Sequence, residues 1–197
     1  MYTEKGERTR QHFIEVSADL FNKKGYVGTA VSEILDAAGY SKGALYRTFQ
    51  DKNELSQVAF EHNLGKLRRG IFQYIDSQES ALSKLLAIPD FYASNLVDTL
   101  VPGGCPILNT AIEVDDTNPK MNEVVKEAFS GFKNIILEVI KNGKLTNEFK
   151  QDLDGEEMAL FIIATIEGSI ALAKTFKKKE LLSTNMQQLK KHIENKT

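Results

Sequence analysis

The sequence predicts an all-α chain of two domains, a small head over residues 1–52 and a larger helical body over residues 53–197. Apolar residues recur at three- and four-residue spacings along most of its length, which is the period of a helix with one buried face. No run shows the strict alternation of a half-buried strand, and only four prolines interrupt 197 residues. Near Thr29 the helical pattern is cut into short pieces by glycine and a capping residue, whereas beyond Asp51 the pieces become long. That change of scale sets the boundary.

The first helix is expected from about Gly6 to Lys24, with Phe13, Val16, Leu20 and Phe21 facing inward and Gly25 ending it; a glycine just past the last periodic residue is the usual helix stop. Val31, Ile34, Leu35 and Ala38 then mark the inward face of a second, shorter helix, stopped by Gly39. Ser41 is placed to cap a third helix by accepting a backbone N–H. In that third helix Leu45 and Phe49 pack inward, so Gly43, Arg47 and Gln50 face outward, flanked by Ala44 and Tyr46. So short a helix is unstable alone, because nucleation costs more than a few backbone bonds return. Its neighbours must hold it, and its polar face is presented to solvent.

Helix, glycine turn and presented helix form the helix-turn-helix arrangement, whose second helix enters the DNA major groove. The run from Gly25 to Leu55, GYVGTAVSEILDAAGYSKGALYRTFQDKNEL, resembles the DNA-binding domain of the TetR family of bacterial transcription regulators. Gly25-Tyr26, Thr29, Ala38-Gly39, Ser41-Lys42-Gly43, Leu45-Tyr46, Phe49, Lys52 and Glu54-Leu55 carry the likeness. The likeness is specific over residues 9–56 and architectural over 57–197. It implies DNA contacts from Thr29, Ser41, Lys42, Gly43, Ala44, Tyr46, Arg47 and Lys52. Thr29 is set to donate to a phosphate, and Ala30 stands where the family often has a hydroxyl residue. Lys42 is either a phosphate contact or a solvated lysine at a helix start, where a cation without a partner is unfavourable. Arg47 is the candidate base reader, with guanine O6 and N7 as its natural partner; a phosphate contact is the alternative. Tyr46 and Lys52 are placed by resemblance on phosphates.

Asp51 can cap a long fourth helix to about Gln78, with Leu55, Val58, Leu67, Ile71 and Ile75 buried and Gly65 and Gly70 weakening it. Residues 79–101 read as a helix kinked or split at Pro89. Phe91, Tyr92 and Leu96 follow the break and are candidates for lining a ligand cavity. Gly103-Gly104 make a turn, Cys105 is the expected N-cap, and Pro106 suits the first helical position. A thiol at a helix N-terminus has a lowered pKa, and some members of the resembled family sense electrophiles or oxidants through a cysteine in this region. The alternative is a small, inert, buried residue. Leu108, Asn109, Ile112, Phe129 and Phe132 complete the candidate ligand set.

Asn118 or Thr117 caps the next helix and Pro119 opens it, with an inward stripe from Met121 to Ile140. Gly155 to Phe176 is apolar nearly all round, so it must be covered on both sides, most simply by a second copy of the chain. With the last helix, about Lys179 to Glu194, it forms the expected four-helix dimer interface, which matches how the family dimerises. Phe161, Gly168, Ile170, Leu172, Leu182, Met186 and Leu189 are the interface candidates.

The wider composition narrows the classes. Net charge is −2, and the first sixty residues hold eight basic and eight acidic side chains, so DNA affinity must come from charge gathered on one surface. One cysteine excludes an internal disulfide and fits the cytoplasm. The N-terminus shows no secretory h-region, and the uncharged apolar run Met158 to Ile166 is too short to span a bilayer. His12, His62 and His192 are scattered, and Glu113, Asp115 and Asp116 lack a histidine, so no metal, cofactor or catalytic constellation is expected. The expected function is a homodimeric transcription regulator, a repressor released from a palindromic operator by a small-molecule effector. The alternatives are a ligand-binding or enzymatic helical protein with a vestigial helix-turn-helix, or an architectural DNA binder without a ligand.

Overall fold

The computed structural model describes residues 4–94 and 100–197, and among them every regular element is a helix. In order these are α1 (Glu4–Lys24), α2 (Val31–Ala38), α3 (Lys42–Thr48), α4 (Lys52–Asp76), α5 (Ala81–Ala93), α6 (Pro106–Val114), α7 (Pro119–Leu145), α8 (Gly155–Phe176) and α9 (Lys179–Lys196). They gather into two compact units: residues 1–66 with 101–125, and residues 67–100 with 126–197.

In the first unit the helix ends are set by local chemistry. Gly25 and Gly39 take left-handed backbone at φ 77° and 68°, the conformation a side chain resists. The Ser41 hydroxyl accepts from Ala44 N at 3.3 Å and starts α3, and Asp51 accepts from Glu54 N at 2.8 Å and starts α4. α2 opens on Ala30, which has no side-chain acceptor; Glu33 supplies half a capping box by accepting from Ala30 N at 2.9 Å. Phe13, Ile14, Ile34, Ala38, Leu45, Phe49 and Leu55 close around one another as the core. Phe13 meets Phe49 edge-on at 6.2 Å. Each of the large side chains among them contributes about 1.5–3 kcal/mol, which is what holds a seven-residue α3 in place.

In the second unit Leu67, Ile71 and Ile75 of α4 lie in the core with Leu85, Ile88, Phe91 and Tyr92 of α5 and with Phe132, Ile136 and Ile140 of α7. Pro89 does not split α5, which runs unbroken from Ala81 to Ala93 with the proline ring buried. Gly70 has a packing reason rather than a cost alone: a Cβ there would stand 2.7 Å from the Phe91 ring. α9 packs along α8 and α5, and Lys190 of α9 bonds both carboxylate oxygens of Asp90 at 2.8 Å.

α8 buries Met158, Ala159, Ile162, Ile163, Ile166, Ser169 and Ile170 along one face. Its other face keeps Leu160, Phe161, Leu172 and Phe176 exposed, between 43 and 60 %. At 22 residues it passes the length and mean-hydropathy test for a bilayer span, which the shorter uncharged run does not. Its half-buried packing and the buried Glu167 mark a helix with one face in the protein core.

Candidate nucleic-acid interface

α3 presents one continuous polar edge. Ser41, Lys42, Gly43, Tyr46, Arg47 and Gln50 are exposed, Ala44 is half-buried, and Leu45 and Phe49 are 2 % exposed on the opposite side. The Lys42 ammonium lies 5.9 Å from the centre of the Tyr46 ring, so a cation and a phenol share the leading edge of the helix. Arg47 stands next to Tyr46, one turn on from Gly43, with no bulk at Gly43 to obstruct approach of the helix to a surface. Hydroxyl, ammonium, phenol and guanidinium together make a surface suited to phosphate and base-edge contact.

Two of the eight expected DNA-contact residues are directed elsewhere. Thr29 is fully buried, and its hydroxyl donates to Gly25 O at 2.7 Å, so it closes the α1–α2 turn instead of reaching outward. Lys52 is half-buried, donates to Tyr26 O, and places its ammonium 4.0 Å from the centre of the Tyr26 ring. Burial pushes the Lys52 ammonium below its ordinary pKa, partly offset by Glu113. The same burial, with the charges of Asp51 and Glu113, pushes the Tyr26 phenol up. Lys52 therefore acts first on the protein's own turn.

The candidate ligand residues fall in different units. Phe91 and Tyr92 are fully buried in the second, where a ladder of rings runs from Tyr74 through Phe91 and Tyr92 to Phe132 at centre spacings of 5.4, 5.2 and 6.2 Å. Phe129 is half-buried and Leu96 lies outside the described residues. Also in this unit, a groove of about 860 Å³ is lined by Phe72, Ile75, Ile135, Val139 and Leu145 with Arg68 at its side, none of which was among the candidates. Cys105, Leu108, Asn109 and Ile112 belong to the first unit. Cys105 does stand at the N-cap of α6, but its side chain makes no cap bond and is fully buried. Ile112 is 70 % exposed and lines no interior. Asn109, expected to orient a ligand, donates instead to Asn22 O at 3.0 Å and Gly103 O at 2.8 Å.

Of the interface candidates, Phe161, Gly168 and Leu172 are exposed on α8 and Leu182 is half-buried. Ile170, Met186 and Leu189 are at most 5 % exposed within the chain itself, because they face the α8–α9 and α9–α5 seams. Sequence periodicity alone cannot tell which of two apolar faces packs inside.

One residue outside the candidate sets, named from the sequence only in excluding a metal site, has a definite place. Glu113 accepts from Tyr26 N and Val27 N, one carboxylate oxygen each, both at 2.8 Å. The available signal was the spacing of Asn109 and Glu113, two polar residues one turn apart on a largely apolar helix.

Residues 13–58 match the family described as bacterial regulatory proteins, tetR family, and residues 81–189 match the tetracyclin repressor-like C-terminal domain. A TetR transcriptional regulator of Chloroflexus aurantiacus J-10-FL superposes with a TM-score of 0.94 at 34 % identity, over 98 % of both chains. An HTH-type transcriptional regulator in the lacX 3' region of Lactococcus lactis subsp. lactis is 29 % identical over 94 % of this chain and 93 % of its own. The HTH-type transcriptional repressor DhaR of Mycobacterium sp. (strain GP1) is 25 % identical over 88 % and 86 %. Both ends of the chain match, and the fold agrees throughout: this protein belongs to the TetR family of bacterial regulatory proteins.

Proposed function

We propose that the chain acts as a homodimeric transcription regulator, a cytoplasmic repressor and not an enzyme, that leaves a palindromic operator when a small molecule occupies its body. The observation that carries this reading is α3: a helix too short to stand alone, clamped by Leu45 and Phe49, with Lys42, Tyr46 and Arg47 exposed along its other edge. Nothing about a stable core requires that arrangement. A surface that enters a major groove does.

In this reading Arg47 contacts a base edge, while Ser41, Lys42, Gly43, Ala44 and Tyr46 lie along the phosphates and the groove wall. Residues 1–52 form the DNA-reading domain, and residues 53–197 bind effector and pair the protomers. The exposed apolar face of α8, with Phe161, Gly168 and Leu172, meets its own copy across a two-fold axis. The ring ladder of Phe91, Tyr92 and Phe132 is the region where an apolar effector enters by displacing side chains, with Phe129 a further candidate on α7. Occupancy there favours a state whose two heads no longer match successive major-groove faces. The repressor assignment draws on the likeness to DhaR.

The test is a band shift with the DNA upstream of the protein's own gene at stated salt, against scrambled duplex of the same length. Specific retardation that salt weakens and a palindrome competes away is the expected result. Equal retardation of both duplexes overturns the reading.

A further inference from the structure

We propose that Glu113 is a positioning residue for DNA binding: its carboxylate fills an anion-binding turn at residues 25–27 and thereby sets how α2 and α3 leave α1.

The turn is built to hold an anion. Gly25 takes φ 77°, and the two N–H groups that follow it, on Tyr26 and Val27, converge on the Glu113 carboxylate. Successive amides after a left-handed residue form a concave donor pair of the kind that binds phosphates and carboxylates. The fit is close: a Cβ on Gly25 would stand 2.8 Å from Glu113 Oε2, so the glycine admits the carboxylate as well as the backbone angle. The opposite pole of the same peptide is held too, since the Lys52 ammonium donates to Tyr26 O. Lys52, from the first turn of α4, and Glu113, from α6, thus grip one peptide group from its two ends.

One turn earlier on α6, Asn109 bonds Asn22 O in the last turn of α1. Asn22 in turn donates to Gly104 O at 2.9 Å. Two side chains at i and i+4 therefore tie α6 to the end of α1 and to the turn beyond it. Four residues past that turn, at Val31, α2 begins, and α3 packs on α2 through the shared core. A shift of Glu113 is delivered to the base of the helix-turn-helix through hydrogen bonds to main chain, with no deformable side-chain layer between. This goes beyond the family assignment, names a residue outside the helix-turn-helix, and rests on the reading that α3 contacts DNA.

The test uses the full chain carrying Glu113→Ala, with Glu113→Gln as the variant that keeps shape and one acceptor. The DNA probe is the duplex that the wild-type chain selects from a random pool. In Glu113→Ala, exchange of the Tyr26 and Val27 amides should quicken about tenfold or more, and affinity for that duplex should fall about tenfold. Formate, compared with chloride at equal ionic strength, should restore part of both by occupying the emptied turn; a residue that only packs gains nothing from formate. Glu113→Gln should lie between the two. If Glu113→Ala keeps wild-type affinity, or if the two amides stay protected, or if formate and chloride act alike, the proposal is overturned. Should Glu113→Ala fail to fold, Glu113→Gln with wild-type exchange and affinity overturns it equally. A wild-type chain that selects no duplex sinks the functional reading itself, and is thereby distinguished from failure of Glu113 alone.

Discussion

Replacing Arg47 with alanine separates base reading from attraction to the phosphate backbone. Arg47 is exposed and alanine is the better helix former, so the substitution should leave folding stability within about 0.5 kcal/mol. What it removes is a guanidinium able to form two parallel hydrogen bonds to guanine O6 and N7, an arrangement worth about 1–3 kcal/mol of discrimination per base pair. One such group sits on each head and two heads meet a palindrome, so the loss should be about 2–6 kcal/mol, or about 30-fold to 10⁴-fold. The assay is fluorescence anisotropy with three duplexes: the selected operator, the operator with its guanines exchanged symmetrically, and random sequence. Wild type should favour the first strongly, and Arg47→Ala should bind all three within a few-fold of one another. An equal loss on every duplex, with a shallower dependence on salt, would assign Arg47 to phosphate and refute the base-reading role.

Other outcomes follow from the packing. Gly168 has no atom within 4 Å of a Cβ built on it, so Gly168→Leu fits the single chain and should raise helix propensity; sedimentation should nevertheless show the dimer lost, and a persisting dimer would move the interface elsewhere. Ser41→Ala removes the α3 cap and should cost about 1 kcal/mol in denaturant titration of the full chain, with Ser41→Asp retaining most of it. Lys52→Met should lower stability by about 1 kcal/mol, because the bond to Tyr26 O is lost, while leaving the salt slope of DNA binding unchanged. A slope reduced by about one would instead give the ammonium to a phosphate.

The head was legible because its boundaries are local. Gly39, Ser41 and Asp51 each act within a few residues, so the capping rules place α2, α3 and the start of α4 closely. The same holds for the Cys105-Pro106 and Asn118-Pro119 starts. Side-chain direction was less legible. Thr29 reads as a phosphate donor from its place at the start of α2, and Lys52 by resemblance, but each finds a main-chain carbonyl that only the tertiary fold supplies. Glu113 meets amides 86 and 87 positions away, and no periodicity reports a pairing at that separation. α8 shows the complementary limit: an all-round apolar pattern does not say which face packs inside the chain, and Ile170 is buried there while Phe161 stays 43 % exposed.

The first compact unit is discontinuous, since residues 101–125 complete what residues 1–66 begin. A recombinant fragment ending near the close of the helix-turn-helix would lack both Asn109 and Glu113, stripping the α1 terminus of its main-chain tethers. Chimeras that graft this reader onto another sensor therefore need two grafts, not one cut, and breakpoints chosen only by sequence likeness to the N-terminal segment should yield poorly behaved hybrids.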